Sequence, residues 1–220
     1  MYGSLEDFPL RQIKFVRTRT SVLKVTTNLL KERSFDEITV DEICQKSQIS
    51  RGTFFNYFPQ KDFIFYYYLR IFTIKIAKRM ENWNKDITFR EQLEDIYKWF
   101  DEESQYPNFI KFYIYCLLEN KKDNDMKLTE AEFVYFFTGI DDEEAYLYYN
   151  NLTIAGIIKD LCKQAKAQGE IPKEIEEDKM AKVFLSLLLA PFITHNVLET
   201  DTKPEELLEI ILDRFFPCIV

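Results

Sequence analysis

Apolar positions recur with a helical period along nearly the whole chain. Val16, Leu23 and Leu30 stand seven residues apart, with Val22 and Leu29 beside the last two, and predict a first helix over about Leu10–Arg33. In Ile38-Thr39-Val40-Asp41-Glu42-Ile43, Thr39 and Glu42 have capping-box spacing and Ile38 and Ile43 stand at the two staple positions. A short second helix over about Val40–Lys46 follows, with the Glu42 carboxylate expected to reach back to the Thr39 amide. Ser47-Gln48-Ile49 leaves room only for a turn. Ser50 then caps a third helix through Tyr57, and Pro59 stops it. A fourth helix is predicted over about Gln60–Trp83, and Thr88 with Glu91 opens a fifth to about Glu103. Phe109, Phe112, Tyr113, Cys116 and Leu117 stripe a sixth at helical spacing. Further helices are predicted over about Met126–Phe137, from Asp141 or Asp142 unbroken to Gln168 with Gly169 as its stop, over Glu176–Leu198, and from Pro204 to about Phe216. No segment reads as a strand, and five glycines with seven prolines suit long helices with short connections. The expectation is an all-α chain of about nine helices.

Two short helices joined by a three- or four-residue turn are the parts of a helix-turn-helix. The third helix is polar at its start, where Ser50, Arg51 and Thr53 crowd together and Gly52 lets a backbone approach closely. Phe54 and Phe58, four residues apart, should turn inward. Charge supports the same segment. The chain carries −8 overall, but Leu10–Lys61 holds ten basic and five acidic residues, whereas residues 62–220 carry −11. A basic head on an acidic body is expected where only the head meets phosphate. Arg11, Lys14, Arg17 and Arg19 cluster in the first turns of helix one.

The stretch TVDEICQKSQISRGTFFNYFPQKDFI resembles the signature of the TetR family of bacterial transcriptional regulators, and the resemblance covers about Arg19–Phe63. It implies an N-terminal three-helix DNA-binding domain (residues 10–59) and a larger helical effector-binding and dimerisation domain (residues 60–220). It also implies a transcriptional regulator, most often a repressor, that grips a palindromic double-stranded operator as a dimer and is released by a small effector. Position by position, Thr39 and Val40 fall where the family touches phosphate, and Arg51, Gly52 and Phe55 fall where it reads base edges. Thr53, Tyr57 and Lys61 fall on its phosphate contacts, and Ser50 and Asn56 complete the candidate surface. This chain departs from the family pattern at Phe55, where Tyr is usual, at Ser34 and Gln48, where Gly is usual, and at Cys44, where Ala is usual. Phe55 gives up a hydroxyl contact and offers an apolar one to a thymine methyl.

The body carries two further expectations. Val183–Ala190 is apolar on nearly every side, and so is the last helix, so both need covering all round. These helices are expected to pair across a two-fold axis through Phe184, Leu185, Leu188, Phe192, Leu208, Ile211 and Phe215. Twenty Phe and thirteen Tyr first of all fill a core, and some are candidates to line a pocket for an apolar or aromatic effector. The candidates are Phe109, Tyr113, Leu117, Tyr148, Asn151 and Ala155. Tyr148, Leu152, Ala155 and Cys162 share one face of the predicted long helix, and Asn151 lies within it.

Other classes find less support. Cys44, Cys116, Cys162 and Cys218 show no C-x-x-C spacing and His195 is the lone histidine, so no metal site and no cofactor are expected. Asp141-Asp142-Glu143-Glu144 reads as acids complementing a helix dipole. Asp123-Asn124-Asp125 lacks the glycine of a calcium loop, and no glycine-rich phosphate loop occurs, so an enzyme is not expected. The N-terminus reads as no secretory signal, and Ser186 and Pro191 interrupt the longest apolar run, so a cytoplasmic protein with reduced thiols is expected.

Overall fold

The computed structural model describes residues 3–104, 126–137, 143–174, 176–198 and 203–215, save the side chains of residues 103, 104, 192, 195–198, 204 and 215. Among these residues every regular element is a helix. A 3-10 turn over Leu5–Asp7 precedes α1 (Leu10–Leu29), α2 (Val40–Ser47), α3 (Arg51–Tyr57), α4 (Phe63–Met80) and α5 (Phe89–Ser104). Then come α6 (Glu130–Phe136), α7 (Glu143–Asn151), α8 (Ile154–Gln168), α9 (Glu177–Leu198) and α10 (Pro204–Phe215). The chain divides into two compact units, Met1–Lys75 with Glu103–Leu152, and Ile76–Glu102 with Thr153–Val220.

In the first unit α1 packs on α2 and α2 on α3, with Val22, Ile38, Ile43, Phe54 and Phe58 fully buried. α1 also packs against α6. Leu5, Phe8, Val16 and Ala131 close into one apolar cluster there, flanked by Ile13 and Val134. Beside that cluster the Arg19 guanidinium meets Glu132, with Nη1 3.1 Å from Oε2, and both side chains are buried. Arg19 also lies 4.0 Å from the Tyr67 ring centroid and 5.3 Å from that of Phe58. Burial lowers the Arg19 pKa from its ordinary value and the nearby Glu132 charge offsets part of that. Glu132 is fixed in turn as a cap, its Oε2 accepting from the Thr129 amide at 2.8 Å. Arg19 therefore does not belong to the exposed basic surface that its place in the sequence suggested. The Asn150 carboxamide pairs with both backbone groups of Leu128, its oxygen 3.0 Å from the amide and its nitrogen 2.9 Å from the carbonyl.

In the second unit α9 packs on α8 and on α10. α8 buries one stripe of Ile154, Ile157, Ile158, Leu161, Cys162 and Ala165. Burial pushes the Cys162 thiol up to about 12. Phe89 meets Phe184 edge to face at 4.9 Å, and Arg90 bridges Glu94 and Asp213. α8 ends at Gly169 in the left-handed region (φ 82°), as its place in the sequence requires.

Three elements differ from the sequence reading. α1 ends at Leu29, four residues early, because the 30–33 segment turns into i→i+3 and i→i+4 bonds, such as Glu32 N to Leu29 O at 3.1 Å. The helix predicted unbroken to Gln168 is two helices. Thr153 turns extended (φ −130°, ψ 154°) and its hydroxyl accepts the Gly156 amide at 2.9 Å, which starts α8 afresh. The periodicity linking Tyr148 and Asn151 to Ala155 and Cys162 therefore does not describe one helical face. The helix predicted over 126–137 is confined to Glu130–Phe136 by the Thr129–Glu132 capping box.

Candidate nucleic-acid interface

The reader is built from two caps and a turn. The Thr39 hydroxyl accepts the Glu42 amide at 3.2 Å and starts α2. The reciprocal arm of the expected capping box is not made: the Glu42 carboxylate takes the Arg33 guanidinium instead. A charge-assisted bond outcompetes a neutral amide, and the same contact holds Arg33 above its ordinary pKa. α2 ends at Gln48, whose backbone is left-handed (φ 57°, ψ 42°), the conformation that usually selects glycine. The Ile49 amide then reaches back to Cys44 O at 3.0 Å and closes the turn. Ser50 opens α3 by accepting the Thr53 amide at 3.0 Å, and the two hydroxyls lie 2.9 Å apart.

The seven residues of α3 divide cleanly. Phe54 is buried, as is Phe58 just past the helix end, and each anchors the helix on its neighbours. Arg51, Gly52, Phe55 and Asn56 are exposed together with Ser50, while Thr53 and Tyr57 are half-buried. Phe55 is 43% exposed, a large apolar side chain held in solvent. A Cβ added at Gly52 would meet nothing nearer than the Ser50 hydroxyl at 3.8 Å, so packing within the chain does not require glycine there. Arg51 Nη1 lies 2.7 and 2.8 Å from the two carboxylate oxygens of Asp41. Tyr57 leans on Phe15 of α1, ring centroids 5.1 Å apart.

The remaining candidates fall in different places. Thr39 is exposed and Val40 half-buried at the start of α2. Lys61 spends its ammonium on the chain itself, donating to Phe35 O at 2.8 Å and Ile38 O at 2.9 Å, and lies 4.2 Å from the Phe35 ring centroid. Its desolvation lowers its pKa. Of the effector candidates, Phe109, Tyr113 and Leu117 lie outside the described residues. Tyr148, Asn151 and Ala155 are exposed, and the Asn151 carboxamide is bonded to Lys127 and to Leu147 O. Of the pairing candidates, Phe184, Leu188 and Leu208 are buried within the chain itself, and Leu185 and Ile211 are half-buried. The side chains of Phe192 and Phe215 lie outside the described residues. Among the described side chains, Val183, Ile193 and Ile210 are the large apolar ones that α9 and α10 leave exposed.

Sequence reading assigned Asp41 no role. It also did not connect Arg11 and Gln12 with the end of α3. With Phe15, Asn56, Tyr57, Thr129 and Glu130, those two residues line a groove of about 730 Å³. Among the described residues no three His, Cys, Asp or Glu side chains are grouped to hold a metal ion. No described helix is long and apolar enough to cross a membrane.

Comparison with known proteins adds three findings. Residues 22–67 match the family model described as bacterial regulatory proteins, tetR family. No curated protein matches the chain in sequence. Among solved structures, a TetR-family transcriptional regulator of Syntrophomonas wolfei is similar with a TM-score of 0.62 at 16% identity, covering 90% of this chain and 92% of that one. Thermus thermophilus FadR, a TetR-family transcriptional repressor in complex with lauroyl-CoA, is similar with a TM-score of 0.58 at 17% identity, covering 92% and 95%. Salmonella enterica GusR is similar with a TM-score of 0.58 at 15% identity, covering 91% and 96%. At these identities the likeness is one of fold.

Proposed function

We propose that the chain is a regulator of the TetR family, whose model its residues 22–67 match, and that it is a ligand-responsive repressor that binds a palindromic operator as a dimer. Residues 10–59 form the DNA-binding domain in this reading and residues 60–220 the effector and dimerisation domain. The observation that carries it is the division of α3, with Phe54 inward and Arg51, Gly52, Phe55 and Asn56 outward at the start of a short exposed helix. Such a helix enters a major groove by its N-terminal end. Arg51 and Gly52 then face base edges, Phe55 offers its ring to a thymine methyl, and Ser50, Thr53 and Tyr57 face phosphate together with Thr39 and Val40. Lys61 acts at one remove, tying the turn before α2 to the approach to α4 through two carbonyls, and meets phosphate with the proton left over.

The effector in this reading is small and apolar or aromatic, and Phe109, Tyr113, Leu117, Tyr148, Asn151 and Ala155 remain its candidate contacts. Lauroyl-CoA, the ligand in the Thermus thermophilus protein, joins an apolar acyl chain to a charged coenzyme A group, so only its acyl part is of that kind. Fluorescence anisotropy with a duplex recovered from the neighbouring promoter tests the core of the proposal. The expected outcome is sub-micromolar binding at two chains per duplex that weakens steeply with salt, log K falling by about 0.9 per neutralised phosphate per log unit of salt. Binding indifferent to salt, or no preference for that duplex over a scrambled one, would overturn it.

A further inference from the structure

We propose that Asp41 is a positioning residue for base reading: it holds one nitrogen of Arg51 so that the opposite edge of the guanidinium is set to read a guanine. This rests on the assignment of Arg51 to base edges. Arg51 is the first residue of α3, where the positive end of the helix dipole disfavours a cation. Its exposed guanidinium is nevertheless engaged by an acid of α2. Both carboxylate oxygens of Asp41 converge on the single nitrogen Nη1, at 2.7 and 2.8 Å, and the Phe55 ring centroid lies 5.8 Å from Cζ.

The pair is exposed on both sides, at 59% and 68%, and a pair of that kind adds little to the stability of a fold. What it does fix is orientation. With Nη1 spent, Nε and Nη2 remain as two parallel donors, the spacing that guanine matches with N7 and O6 in the major groove. Adenine offers a donor where guanine offers O6, and so repels one of the two. An arginine free to rotate could meet a phosphate or a different base through any edge, so holding one edge converts a mobile cation into a discriminating one. Asp41 achieves this from α2 across the turn, which explains an acid within a segment of net positive charge.

Selection of bound duplexes from a random library tests it, using the full chain, Arg51→Ala and Asp41→Asn. The unaltered protein should enrich a guanine at one position in each half-site, and substituting 7-deazaguanine there should weaken binding. Arg51→Ala should lose that preference. Asp41→Asn should reduce it roughly tenfold, the scale of one bidentate contact, while preferences elsewhere in the site and the thermal midpoint stay unchanged. If Arg51→Ala keeps the guanine, the base-reading role of Arg51 fails. If Arg51→Ala loses it and Asp41→Asn keeps it in full, the role of Asp41 fails. It fails equally if Asp41→Asn tightens binding to all sequences alike, because Asp41 would then only compete with DNA for the cation, or if the Arg51-dependent base is not guanine.

Discussion

Gly52 and Gln48 stand four residues apart and each contradicts what its backbone would choose. Gly52 is inside a helix where an added Cβ would meet only the Ser50 hydroxyl, at an ordinary 3.8 Å. Gln48 holds a left-handed backbone that costs an ordinary residue about 1–2 kcal/mol. In chemical denaturation Gly52→Ala should stabilise the chain by about 0.5–1 kcal/mol while weakening operator binding, since the added methyl stands where a base edge approaches. A variant both more stable and equally tight would show that nothing comes close to Gly52. Gln48→Gly should stabilise by about 1 kcal/mol and leave DNA affinity alone. At this scale the sequence was informative about identities and poor about partners. That Arg51 faces outward was readable, because Phe54 and Phe58 had to face inward. That Lys61 would bond two carbonyls was not, because those carbonyls are freed only once the turn at 35–38 has its final shape.

Capping chemistry decided which elements could be read. The caps at Thr39, Ser50 and Thr88 located α2, α3 and α5, because a hydroxyl, joined at Thr88 by the Glu91 carboxylate, satisfies amides that a helix must leave bare. The break at Thr153 escaped notice because the apolar period runs on through it, and a Thr followed three residues later by Gly offers only one arm of a box. Glu91 provides a test. Bonds from the Thr88 amide and hydroxyl, each 2.8 Å, hold its carboxyl below the ordinary range. Its contribution is therefore complete above the ordinary glutamate value of about 4.3 and is lost as pH falls through the lowered one. Hydrogen exchange in the first turn of α5 should accelerate between pH 5 and pH 3, beyond the intrinsic rate change, and Glu91→Gln should abolish that dependence. Equal acceleration in the variant would remove Glu91 as the cause.

For the whole molecule, the head that carries the motif and the body that follows it differ in how much of them was legible. The sequence motif covered the head closely, whereas the body was recognisable only as helices of suitable length. The pairing surface shows why. A run apolar all round does not say which side is kept for the chain itself, and α9 and α10 use Phe184, Leu188 and Leu208 inside, leaving Val183, Ile193 and Ile210 outside. Ile210, 61% exposed, is therefore the better probe of the proposed dimer. Ile210→Glu should give folded monomers in sedimentation, with operator affinity reduced at least tenfold through loss of the second half-site. Leu188→Glu should instead unfold the chain. A dimer that survives Ile210→Glu would remove this face from the interface.

The buried meeting of Arg19 with Glu132 follows a different rule. Arg19→Met alone should cost about 3–5 kcal/mol, and Arg19→Met with Glu132→Leu much less, because the pair is expensive chiefly when halved. This bears on how such regulators could be recombined. A hybrid transplanting only the DNA-reading helices onto a foreign body would carry a stranded guanidinium into an oily seam, unless the recipient happened to offer a carboxylate there. The portable cassette in this protein is thus longer than the part that touches DNA, and a successful graft should bring residues 126–137 along with it.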